Sequence, residues 1–160
     1  MVRFGAMEVM GVGMGLYAEL TNHRDIVAKM ADQRKDNEGG YLCVGTHEGN
    51  VLLKVLLWPR PEEKLPGPCE FCEEKVVRLS AHADHVLSRQ SQNDAAHQYP
   101  GAVRTLCFIL AFSGLPGHLD ELFVMALAVR LGWMKAAEAR RILHDHPNDY
   151  CSRDILDTFF

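Results

Sequence analysis

The chain has no strong excess of one charge, no apolar stretch of membrane-spanning length, no internal repeat and no even set of cysteines, and each absence removes a class of protein. Lys and Arg number 17 against 21 Asp and Glu, for a net charge of -4. That balance argues against a broad grip on nucleic acid, which depends on basic side chains neutralising phosphates. The most basic stretch, Arg130, Lys135, Arg140 and Arg141, is diluted by Glu138 and Asp145 and reads as a solvated helix face. The longest apolar run, residues 106–112, falls far short of the roughly 20 residues that cross a bilayer, so no membrane partner is expected. Five cysteines at irregular positions do not make an extracellular disulfide framework and fit a reducing compartment. Glu8 interrupts the apolar first twenty residues, and no small-residue cleavage site follows, which argues against a secretory signal. The expected location is cytoplasmic.

What is present suffices for a self-supporting core. The 160 residues are 48% hydrophobic and 24% charged, which is ordinary for a globular protein and far from the composition of a disordered one. One compact unit over residues 1–160 is expected, with sub-elements at 1–68 and 69–160. Residues 7–20 carry Gly11, Gly13 and Gly15, each of which weakens a helix by up to about 1 kcal/mol, so this segment reads as strand or loop. A first helix starts at Asn22, with Ile26, Val27, Met30 and Ala31 on one face, and stops before Gly39 and Gly40. Residues 41–46 and 51–58 are β-prone runs joined by His47-Glu48-Gly49-Asn50, a hairpin connection. Pro59, Pro61, Pro66 and Pro68 then forbid regular structure and make an exposed connector leading to Cys69.

The remainder reads as helical: residues 73–90 with a stripe of Val76, Leu79, Ala83, Val86 and Leu87; residues 102–112 as a buried helix enclosing a packed Cys107; residues 119–131 and 135–144 divided near Gly132; and a short terminal helix opened by Ser152. The fold class is α+β, a small N-terminal helix and β-hairpin element packed on a C-terminal cluster of four to five helices.

Cys69-Glu70-Phe71-Cys72 is the strongest local signal, because two thiolates at this spacing can share one tetrahedral zinc. His82 and His85 would complete a finger-like set, but only if residues 75–80 are extended. A helix rising about 1.5 Å per residue puts His82 about 15 Å beyond Cys72. If residues 73–90 are helical, both histidines instead lie with Arg78 and Arg89 on the polar face. The hairpin offers a second set, Cys43 and His47 on one strand face joining Cys69 and Cys72 in a Cys3His structural site. Redox use of the same motif is disfavoured by Glu70, Glu73 and Glu74, which raise a thiol pKa.

Three other patterns are incomplete. Gly11, Gly13 and Gly15 would open a dinucleotide loop, but the third glycine belongs at the position of Leu16. Ala128 and Gly132 have helix-turn-helix spacing, but Glu138 and Arg141 occupy positions that should pack inward. Arg141 and His146 match the short arginine-histidine spacing of HEPN-type ribonucleases, and Pro147 marks a helix end there.

Ser80-Ala81-His82-Ala83-Asp84-His85 resembles the His-x-His-x-Asp-His signature of the metallo-β-lactamase superfamily, with serine in place of the first histidine. The resemblance implies metal ligation by His82, Asp84 and His85. It covers six residues, in a chain shorter and more helical than that family's αββα fold. No nucleophile-base pair, phosphate loop or carboxylate pair emerges at a specific spacing. The sequence therefore favours a small cytoplasmic binding or adaptor protein with a protein partner and a structural zinc. The alternative is a metal-dependent hydrolase or nuclease in which His82, Asp84, His85 and His97 gather with His144 or His146. Whether the chain is an enzyme stays open at this point.

Overall fold

A computed structural model describes residues 5–33, 39–58 and 67–160. In chain order the elements are α1 (Ala6–Thr21), α2 (Arg24–Asp32), β1 (Gly40–Gly45), β2 (Val51–Trp58), α3 (Gly67–Ser80), β3 (Ala102–Arg104), β4 (Ile109–Ser113), α4 (Gly117–Arg130), α5 (Ala136–Asp145) and α6 (Arg153–Phe159), with two short 3-10 turns between α3 and β3. The class is α+β. The strands form one antiparallel sheet in the order β2-β1-β4-β3. Side chains alternate across it. Cys43, Ala102, Ile109 and Ala111 face α3 with Cys72, Val76 and Leu79, while Leu42, Val44, Val103, Leu110 and Phe112 face α1 and α4 in the larger core.

The N-terminal glycine segment is helix, correcting the strand or loop expected for residues 7–20. Val9, Gly13, Leu16, Tyr17 and Leu20 are buried, a helical stripe whose packing outweighs three weak helix formers. Gly13 faces the sheet, where a Cβ would lie 3.3 Å from Leu57 Cδ1, whereas a Cβ on Gly11 or Gly15 would meet nothing within 4 Å. Gly11→Ala and Gly15→Ala should each therefore stabilise the protein, by up to about 1 kcal/mol, in chemical denaturation. Loss of stability in both variants would show that α1 does not sit as described. Helix α2 opens one residue later than expected. His23 is its N-cap, its ring accepting from Asp25 N, and Asn22 caps the end of α1. Residues 34–38 and most of the proline connector, 59–66, lie outside the described residues.

The 41–46 and 51–58 hairpin is present as β1 and β2. The buried helix expected over residues 102–112 is instead a second hairpin, β3 and β4. Every residue of β4 is buried because the strand lies between β1 and β3 with helices on both faces. Such a strand has no polar alternation, and an apolar run of its length does not tell strand from helix. Cys107 is accordingly not core packing. It is half-exposed in the turn beside Leu106, which is 82% exposed.

Helix α3 also departs from the sequence reading. It includes Pro68 and Cys69 at its start and ends at Ser80 rather than continuing to residue 90. Its end is held from a distance: the Arg104 guanidinium donates to the carbonyls of Leu79, His82 and His85, occupying acceptors that a continued helix would need. Arg78, expected on the polar face, is buried. It donates to Tyr99 O at 2.7 Å, to Glu74 at 2.6 Å and to Ser88 O.

Candidate functional site

Lys75 follows Cys72 by one helical turn and precedes Leu79 by another, so it lies on the inward face of α3. Its ammonium, 1% exposed, donates to Phe112 O at 2.6 Å at the end of β4 and to Asp120 Oδ2 at 2.9 Å in the first turn of α4. The other oxygen of Asp120 accepts from Leu115 N at 2.8 Å, which fixes the β4–α4 loop. Gly101 passes against the pair with φ +126°. A Cβ there would be 2.5 Å from Lys75 Nζ and 2.7 Å from Asp120 Cβ.

Above this pair opens a cleft of about 550 Å³, lined by Lys75, Asp120, Phe71, Tyr99, Tyr150 and the Leu115–His118 segment, with Asp94 and Asp149 also on its lining. Placing two charges away from water costs several kcal/mol per ion, and a buried pair is often no more stabilising than apolar residues of the same volume. Its position at the base of an aromatic-walled cleft of ligand-binding size is therefore the strongest functional signal in the molecule.

A second buried network stands behind the cleft. Glu121 is fully buried, 3.2 Å from Arg89 and 3.2 Å from Asn148 Nδ2. Arg89 donates to Pro147 O at 2.6 Å and to His146 O, and Asn148 donates to His118 O at 2.7 Å. Glu121 thus anchors the loop that carries Asp149 and Tyr150 to the cleft. Burial pushes its carboxyl up from the ordinary 4.5 to about 7, with Arg89 and Asn148 opposing the rise. Among the described residues, its Oε2 has no hydrogen-bond partner.

The folded state holds the Glu121 proton up to about pH 7, whereas the unfolded chain releases it near 4.5. The folded state then binds more protons in that window, and this contribution to stability falls as pH rises through it. Glu121→Gln cannot ionise, so its stability relative to the parent should rise between pH 5 and pH 8, on the order of 2 kcal/mol. A pH-independent difference in denaturation midpoints would contradict a raised carboxyl.

The six metal-ligand candidates read from the sequence are distributed as follows. Cys43 and Cys72 meet in the layer between β1 and α3. The Cys72 thiol donates to Tyr41 O and Ala111 O, both at 3.2 Å, and burial, with Cys43 beside it, raises its pKa. Cys69 lies at the start of α3 beside Lys54, whose ammonium pairs with Glu73 at 2.6 Å. The His47 ring reaches Thr105 O at 3.0 Å and joins the two hairpin turns. His82 and His85 stack on each other, ring centroids 4.6 Å apart, in the turn after α3. Residues 75–80 are helical, not extended. His97 contacts Tyr99, and His144 contacts Asp145.

Among the described residues, the group of three or more His, Cys, Asp or Glu donors close enough to share an ion is a different one, His23, Asp25 and Asp154. Its hydrogen bonds give it a structural role. His23 Nδ1 accepts from Asp25 N at 3.3 Å, so Nε2 carries the proton and faces Asp154 at 3.2 Å. A metal on Nε2 would need the opposite tautomer, and the Arg24 guanidinium already pairs with Asp154 at 3.1 Å.

Comparison with family models, curated proteins and solved structures found no match. No motif or spacing in the sequence marks Lys75 or Asp120 as a site. The available signal was a lysine on the same stripe as Cys72, Val76 and Leu79, and an aspartate at the head of the apolar α4.

Proposed function

We propose that this chain is a binding protein whose cleft between α3, the Tyr99–Gly101 segment and the start of α4 takes a small molecule. The observation that carries this reading is the buried Lys75–Asp120 pair at the base of a cleft of about 550 Å³. Such a volume matches metabolite-sized ligands. Three converging chain segments hold the pair in place, which is the kind of support that keeps recognition groups oriented. This differs from the sequence reading, which favours an adaptor whose helical cluster contacts a protein partner. Screening a few hundred polar metabolites against the isotope-labelled chain should give amide shifts clustered at Tyr99, Leu115, Gly117, His118 and Tyr150. A screen in which every shift falls elsewhere would overturn the proposal.

A protein partner is a second reading, favoured by β2. It is an edge strand of the sheet with Val51, Leu52, Leu56 and Trp58 each more than a third exposed, and an apolar edge is a template for an added strand. Leu52→Lys together with Leu56→Lys should then abolish capture of a partner while leaving the fold intact. Unchanged capture would remove β2 from consideration.

A further inference from the structure

We propose that Cys43, Cys69 and Cys72 form a thiol–disulfide switch: a low-molecular-weight disulfide reacts first at Cys69, and the bond finally formed joins Cys43 to Cys72 and locks α3 onto β1. This inference is independent of the cleft. It rests on where three of the five cysteines lie.

Cys43 and Cys72 are fully buried in the layer between the sheet and α3. Cys43 is the cross-strand partner of Ala111, and Tyr41, two residues away, shares its face of β1. The Cys72 thiol donates to the carbonyls of Tyr41 and Ala111, both at 3.2 Å. That places its sulfur over the seam between β1 and β4, beside Cys43. One bond here would tie a helix to a strand and close a loop of about 30 residues.

Cys69 stands one turn earlier on α3, at the rim of the same layer. It is partly exposed, and beside it is the ammonium of Lys54, the residue of β2 that pairs with Cys43. Partly exposed thiols next to a cation are the ones that exchange with disulfides. Two of the three glutamates that argue against redox use in the sequence are matched: Glu73 by Lys54 and Glu74 by Arg78, each at 2.6 Å.

A metal is a poorer occupant of this layer. Among the described residues, the three sulfurs do not lie close enough together to share one ion. Burial, with Cys43 beside it, raises the Cys72 pKa, which disfavours the thiolates that a cation requires. A disulfide adds no charge.

The exchange runs in three steps. The Cys69 sulfur attacks one sulfur of the small disulfide, whose S–S bond breaks, and the Cys69 proton leaves on the first small thiol. The Cys72 sulfur then attacks the Cys69 sulfur and releases the second small thiol, which takes the Cys72 proton. Finally the Cys43 sulfur attacks the Cys72 sulfur, and Cys69 departs as a thiol carrying the Cys43 proton. Two protein thiols are oxidised while one small disulfide is reduced to two thiols.

Oxidised glutathione is the probe, incubated with the folded full chain before acid quenching, alkylation and fragment-ion mapping of the peptides. The expected product is a Cys43–Cys72 cross-link with Cys69 recovered as a free thiol, and a melting temperature raised by roughly 6–16 °C. Cys69→Ser should form the same bond at least tenfold more slowly. A stable Cys69–Cys72 bond would overturn the lock on β1, as would glutathione retained on Cys69 with Cys43 and Cys72 still reduced. An unchanged rate in Cys69→Ser would overturn the entry route. Full recovery of the Cys43 and Cys72 thiols after oxidation would overturn the proposal outright, and that measurement needs no variant.

Discussion

Lys75→Met should unfold this protein far more readily than any surface change, losing roughly 3–5 kcal/mol and lowering the melting temperature by roughly 6–20 °C. The methionine fills much the same volume, so the loss comes from the buried Asp120 carboxylate, 3% exposed, which gives up the ammonium 2.9 Å away. Converting Asp120 to Asn in the same chain removes that buried charge and keeps an oxygen for Leu115 N, so the double variant should recover part of the loss. That recovery is the signature of a coupled pair, because independent sites would add. A single Lys75→Met variant within about 1 kcal/mol of the parent, too little for the loss of a buried ion-pair partner, would mean that the pair is solvated and not the base of the cleft.

Gly101→Ala should be the other severe change, at roughly 2–6 kcal/mol, combining backbone strain with overpacking. At φ +126° the backbone occupies a region that side-chain-bearing residues avoid. The new methyl would also lie 2.5 Å from Lys75 Nζ, 2.7 Å from Asp120 Cβ and 2.8 Å from Phe112 O. None of the three can move without giving up a buried bond. Gly132 supplies the control: its φ is +69°, yet a Cβ there meets nothing within 4 Å. Gly132→Ala should therefore lose only about 1 kcal/mol, the price of the left-handed backbone alone. Equal losses at Gly101 and Gly132, measured by urea denaturation, would show that the Lys75–Asp120 crossing is not tightly packed.

Both changes act on residues that no sequence motif marks. The cysteines and histidines are marked, since their spacing suggests zinc. Their neighbours in space could not be read, because they come from β1, β4 and the turns that Arg104 and Arg78 hold. Helix α3 shows the reason most directly. Residues 73–90 carry a helical stripe throughout, and no glycine or proline ends it. The stop at Ser80 comes from Arg104, an Arg 25 residues from the Leu79 carbonyl it occupies. Local periodicity contains no information about such a cap.

Local sequence signals specify the α+β class, the β1–β2 hairpin, the two helices on either side of Gly132 and the Ser152-capped helix at the end. Each rests on short-range physics: turn residues between β-prone runs, apolar spacing at the helical period, and an N-cap hydroxyl that accepts from Ile155 N. Tertiary structure alone decided that residues 6–21 are helix, because Gly13 packs on Leu57 and Leu42, and that residues 102–113 are strands, because β4 is buried on both faces. It alone decided the candidate site. Lys75 and Asp120 stand 45 positions apart in the chain, and only the stacking of α3 and α4 on opposite faces of one sheet brings a cation and an anion together at the end of β4.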